Sequence, residues 1–83
     1  MNLCFVLGKI ISEVQFDFIL YSKKIAITRF EIELSNKIKI KVKGYDELAE
    51  ICYQTLTIGD RVLIRGNLDS NGIITMQEVN EFK

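Results

Sequence analysis

Apolar and polar side chains alternate along most of this chain. Between residues 25 and 35, Phe30, Ile32 and Leu34 fall on one side, and Arg29, Glu31 and Glu33 on the other. From 37 to 44, Ile38, Ile40 and Val42 interleave with Lys37, Lys39, Lys41 and Lys43. A period of two is the signature of a half-buried strand. It predicts strands over 25–35 and 37–44, joined by a short hairpin turn at Ser35-Asn36. The start of the chain differs. In residues 2–11, Cys4, Val6 and Ile10 share one face while Leu3, Phe5 and Leu7 share the other, so this strand is apolar on both sides. Such a strand is central in its sheet or pressed against a partner. Strand character continues over 14–20 with Val14, Phe16 and Phe18 on one side, and Tyr21–Lys24 reads as a turn.

After Gly44 the period changes. Asp46 is placed to cap a helix, with Glu47 and Glu50 favourable against its N-terminal dipole. Leu48, Ile51, Cys52 and Thr55-Leu56 form its apolar stripe, and Gly59 lies in the turn that follows. Alternation returns over 61–68, with Val62 and Ile64 inward, and again over 73–82, separated by the turn signal Asp69-Ser70-Asn71-Gly72. The order is β-β-β-α-β-β, with one helix between the third and fourth strands. Five strands are too few for a sandwich, and a closed barrel plugged by the helix removes the sheet edges. The expected class is all-β: one five-stranded Greek-key OB-fold barrel over residues 1–83. The face of the second and third strands in this fold binds oligonucleotides.

Composition narrows the partners. With 83 residues, 48% of them hydrophobic, the chain has room for one modest core. Eleven basic residues balance eleven acidic ones, so any attraction to nucleic acid comes from charge segregation. No apolar run is long enough to span a bilayer, and no signal-peptide pattern is visible, so no membrane partner is expected. Cys4 and Cys52 are too few for a disulfide framework and lack partners for a zinc site. Both read as buried packing residues in a reducing compartment. With no histidine and no phosphate-cradling glycine loop, the chain offers no catalytic constellation, metal site or cofactor site.

Three patches carry a family resemblance. The first is Asn2-x-Cys4-x-Val6-x-Gly8-x-Ile10, and the second is Phe30-x-Ile32-x-Leu34. The third runs from Ile40 through Gly44-Tyr45-Asp46-Glu47-Leu48-Ala49-Glu50 to Leu56-x-x-Gly59-Asp60-x-Val62-x-Ile64-x-Gly66-x-Leu68. In order and spacing they resemble the bacterial single-stranded DNA-binding protein (SSB) family. The Leu-Ala-Glu helix start, at its distance from Gly59 and Gly66, is the most specific part. The resemblance implies single-stranded DNA or RNA binding without sequence preference, accessory to replication or repair. Tyr45 falls at a stacking-aromatic position and Lys41 at a basic one. Lys39 stands where a second stacking aromatic is expected, so that platform is missing. The family's two long binding loops are reduced to Ser-Asn-Lys and Asp-Ser-Asn-Gly, and its acid-tipped tail has no counterpart. In this the chain is similar to the tail-less PriB proteins and to short SSB-like reading frames of red-algal plastids. The resemblance therefore implies bacterial cytoplasm or plastid stroma.

The nucleic-acid reading assigns Arg29, Lys37, Lys39, Lys41 and Lys43 to phosphates and Tyr45 to a base. Against it, the lysines would oppose Glu31 and Glu33 across the hairpin. Five cations against two carboxylates leave a surplus of about three by simple charge counting. Lys23 and Lys24 sit in the turn near where the groove of such a fold opens, and read equally as an ordinary solvated turn. Arg61 and Arg65 read as plain surface, and Tyr21 and Tyr53 as structural. Leu3, Phe5 and Leu7 form an outward apolar row; SSB and PriB families dimerise through this strand, which implies a homodimer here. The alternative function is a protein-interaction module for a replication or primosome partner, no longer binding nucleic acid.

Overall fold

The structure, a computed structural model, describes residues 2–20 and 24–82. Tyr21, Ser22 and Lys23 of the expected turn lie outside the described residues, as does the Lys24 side chain. The elements are β1 (Leu3–Ile10), β2 (Gln15–Leu20), β3 (Lys24–Leu34), β4 (Lys39–Tyr45), α1 (Asp46–Thr55), β5 (Arg61–Leu68) and β6 (Ile73–Phe82). The sheet order is β1-β5-β6-β4-β3-β2, and β1 also pairs with β3, which closes a five-stranded barrel. All pairings are antiparallel except β4 with β6. This is the OB fold expected, with the helix between the two lysine- and arginine-led strands β4 and β5.

The first strand is divided because the chain bends at residues 11–14. β1 pairs with the far end of β3 (Gly8 opposite Leu34), and β2 pairs with its near end (Gln15 opposite Arg29). Ser12 bridges the bend: its Oγ accepts a hydrogen bond from the Glu31 amide at 2.8 Å. The Ile11 amide donates to the Glu31 carbonyl at 2.9 Å. Backbone groups that the bend takes out of the ladder are thus satisfied.

The core gathers the inward residues of every barrel strand: Ile10, Phe30, Ile32, Val42, Val62, Ile64, Ile74 and Met76, with Cys52 and Leu56 plugging one end. Burial removes the Cys52 thiol from water and pushes its pKa up to about 11, because the thiolate is disfavoured there. Cys4 is half-buried against the same core. The glycines follow from close approach and from turn geometry. At Gly66, beside the bulge that leaves Gln77 of β6 without a partner, a Cβ would collide with the Thr75 backbone. Gly59 and Gly72 take positive φ of 98° and 78° in their turns.

Several local expectations are corrected. Asp46 is not the helix cap. Tyr45 occupies the N-cap position with φ −124° and ψ 153° and makes no side-chain cap bond. Asp46 instead turns the chain from strand into helix at φ 55°, a left-handed conformation that its short polar side chain tolerates. Ile51 is exposed rather than part of the buried stripe. The helix presents Ala49 and Cys52 to the barrel and continues into Leu56, a spacing that leaves Ile51 on the opposite side.

Candidate nucleic-acid interface

Four rows of side chains cross the outer face of β3 and β4. The hairpin register sets Tyr45 opposite Ile27, Lys43 opposite Arg29, Lys41 opposite Glu31, and Lys39 opposite Glu33. Neighbouring strands extend the rows: Asp17 beyond Ile27, Gln15 beyond Arg29, and Ile73 beyond Lys41. Directly opposed residues share a face of the sheet, so Lys39, Lys41, Lys43 and Tyr45 form one column along β4.

Lys37 is not part of that column. The strand starts at Lys39, and Lys37 sits in the hairpin with φ 71°. Its amide donates to the Leu34 carbonyl at 3.0 Å, while the Leu34 amide donates to the Ile38 carbonyl at 2.8 Å. Three residues, Ser35, Asn36 and Lys37, therefore make the turn. A three-residue hairpin loop requires its last member in the left-handed region, which takes Lys37 out of the alternation. Ile38 beside it is exposed rather than inward.

The electrostatics differ from the sequence count. Glu31 and Glu33 do oppose Lys41 and Lys39 in register. Yet the close ion pairs among the described residues are Arg29–Asp17 at 3.4 Å and Arg65–Glu78 at 3.3 Å. The β4 lysine heads are held by neither: Lys39 and Lys41 are exposed, and Lys43 is half-buried. Arg29, in contrast, is engaged by Asp17, an acid that the sequence count omitted. On the face of β2, β3 and β4, four cations now stand against three carboxylates, a surplus near one.

A groove of about 330 Å³ opens on this face, lined on one side by Ser12, Glu13 and Gln15 and on the other by Lys41, Lys43 and Ile73, with Arg29 between. Its flanking walls come from the first-strand bend and from the start of β6. Neither contribution had a local signal in the sequence, because both arise from barrel closure. At the end of the column Tyr45 is 38% exposed. Its Cα partner Ile27 is 3% exposed, so an apolar floor lies beside the ring while part of the ring remains open. The Lys43 Nζ lies 5.9 Å from the ring centroid, the outer limit of a cation–π contact. The β5–β6 loop is as short as expected: Asp69 Oδ1 accepts from the Asn71 and Ile73 amides at 2.8 and 3.0 Å and closes a tight turn.

The apolar row of β1 is exposed, with Leu3, Phe5 and Leu7 at 52%, 65% and 53%. None of the described residues covers it. Arg61 is surface, as expected. Arg65 is half-buried and held by Glu78 and by Gln77 at 2.7 Å. Tyr53 packs on Phe16 at 5.0 Å, and Phe16 meets Phe18 edge-on at 5.1 Å. Among the described residues, no group of His, Cys, Asp and Glu could hold a metal ion, and no helix is long and apolar enough to cross a membrane.

By sequence the chain matches no protein-family model and no curated protein. By structure it matches domains of one architecture. The SSB domain of a Synechococcus protein superimposes with a TM-score of 0.85 at 18% identity, covering 96% of this chain and 94% of that one. The single-stranded DNA-binding protein of Thermus aquaticus gives 0.85 at 17% identity, with all of this chain matched to 41% of that one. PriB of Ralstonia solanacearum gives 0.81 at 8% identity over 100% and 99% of the two chains. The chain therefore has the OB fold of SSB domains and of PriB, and it spans about two fifths of the Thermus aquaticus protein.

Proposed function

We propose that this domain binds single-stranded DNA or RNA without sequence preference, in a binding rather than a catalytic role. The observation that carries the reading is the β4 column: three lysines free of close carboxylate partners, ending at a half-open tyrosine, beside a groove of about 330 Å³. Lys39, Lys41 and Lys43 take phosphates, Arg29 adds a partly neutralised charge, and Lys37 contributes from the hairpin tip. Tyr45 stacks a base, a contact worth about 1–3 kcal/mol in single-strand binders. The structural likeness to two single-stranded DNA-binding proteins supports this reading. With one stacking ring and a small charge surplus, binding is weak and salt-sensitive. A role beside replication or repair proteins, in bacterial cytoplasm or plastid stroma, fits it.

The exposed row of Leu3, Phe5 and Leu7 favours a homodimer through β1, since a contiguous apolar strip left in water marks an interface. The same strip supports the second reading, a protein-interaction module that does not bind nucleic acid.

The test is fluorescence anisotropy with labelled oligo-dT at low and physiological salt, on the wild type, Lys39→Ala/Lys41→Ala and Tyr45→Ala. Binding that falls steeply with salt and weakens in both variants is the expected result. No wild-type binding at low salt rejects the proposal in favour of the second reading.

A further inference from the structure

The β4 column does not end at Lys39. On the outer face, Lys39 is opposite Glu33, Glu33 is opposite Lys9 of β1, and Lys9 is opposite Arg61 of β5. One row therefore crosses four strands. A second groove of about 330 Å³ lies along it, lined by Lys9, Lys37 and Arg61 with Glu33, Gly8 and Leu34, and bordered by Leu7, the last residue of the apolar β1 row proposed above as the dimer strip. All three cations are exposed, and none is in a close ion pair among the described residues. Three cations against one carboxylate make this seam more positive than the groove beside Tyr45. The seam exists only because β1 closes the barrel between β3 and β5.

We infer that this seam is a second anion-binding groove, which carries the phosphodiester backbone of a bound single strand onward from Lys39, around the hairpin end of the barrel. The inference rests on the nucleic-acid reading above, which already includes Lys37, and extends it to Lys9 and Arg61. From Tyr45 to Lys39 the column runs about 20 Å, at about 3.3 Å per residue. From Lys39 to Arg61 the row adds three strand spacings, about 14 Å. The two segments meet at Lys39, two residues along the chain from Lys37, which lines the seam from the hairpin. A short oligonucleotide fills the column alone, and a longer one turns the corner into the seam.

The experiment compares oligo-dT of about 4 and about 16 nucleotides, the two ends of the range of OB-fold sites. Each is titrated at several salt concentrations with the wild type, Lys9→Gln/Arg61→Gln and Lys39→Ala/Lys41→Ala. Both seam side chains are exposed, and a thermal melt confirms that the first variant is folded. The expected result is unchanged affinity of that variant for the short oligonucleotide and weaker binding of the long one. Its log–log salt slope for the long oligonucleotide falls by about 1.4, from two lost phosphate contacts at about 0.7 each. An unchanged slope for the long oligonucleotide, with a reduced slope in Lys39→Ala/Lys41→Ala, overturns the seam and leaves the β4 reading standing. Equal losses for both lengths mark an isolated phosphate site and overturn the continuous path. Absence of wild-type binding to either length rejects the underlying reading, and the seam with it.

Discussion

Replacing Glu31 and Glu33 by glutamine separates a binding face from a merely solvated one, because the two readings predict opposite signs. Both carboxylates stand directly opposite β4 lysines, Glu31 with Lys41 and Glu33 with Lys39. If phosphates dock on those lysines, each carboxylate lies within about 7 Å of a bound phosphate, allowing for the cross-strand spacing. At that distance a like-charge pair in water costs about 0.6 kcal/mol. Removing both therefore strengthens binding by about 1 kcal/mol at low salt, close to a fivefold fall in Kd. The gain shrinks near 0.15 M salt, where the screening length is about 8 Å. Stability moves the other way. Opposite charges across a strand pair contribute about 0.2–1 kcal/mol each, and the lack of close contact here puts these pairs at the low end. The double variant is thus slightly less stable and binds better. Anisotropy titration of oligo-dT at two salt concentrations, with a urea melt of the same samples, measures both. Unchanged or weaker binding by a folded double variant would refute the placement of phosphates on β4.

Three further outcomes follow from the structure. Gly66→Ala drives a Cβ into the Thr75 backbone beside the β6 bulge. Overpacking of this kind lowers stability by about 1–3 kcal/mol, seen as a lower urea midpoint at unchanged m-value. Because the Cys52 pKa rises from 9.0 to about 11 on folding, the unfolded chain loses that proton first as pH rises. Stability from this group is whole below pH 9 and is lost between about pH 9 and 11, so the wild type weakens more steeply over that window than Cys52→Ala. Phe5→Glu puts a charge in the middle of the exposed β1 row, and sedimentation equilibrium is expected to show a wild-type dimer converted to monomer. A monomeric wild type at micromolar concentration rejects the dimer.

Strand order, helix position and the hairpin between β3 and β4 were legible in the chain because they rest on local rules. Period-two alternation marks strands, glycine and asparagine mark turns, and a tight hairpin sets which lysine meets which glutamate. Gln15–Leu20 read as strand for the same reason, as did the outward row Leu3, Phe5 and Leu7. Where alternation alone was trusted too far, it misled. It carried Lys37 into the strand, although a three-residue loop must end in a left-handed residue. The helical period likewise placed Ile51 on the buried stripe, although the helix's orientation against the barrel is set by Ala49 and Cys52.

What the sequence determined by itself is the succession of strands with one helix between the third and fourth, and the lysine column ending at Tyr45, because each follows from spacing within a few residues. Only the tertiary structure decided the neutralisation of Arg29 by Asp17, the groove walled by Ser12 and Ile73, and the row joining Lys39 to Lys9 and Arg61. Those neighbours are set by barrel closure, which pairs β1 with both β3 and β5. Closure is a long-range condition on register, and no short stretch of the chain records it.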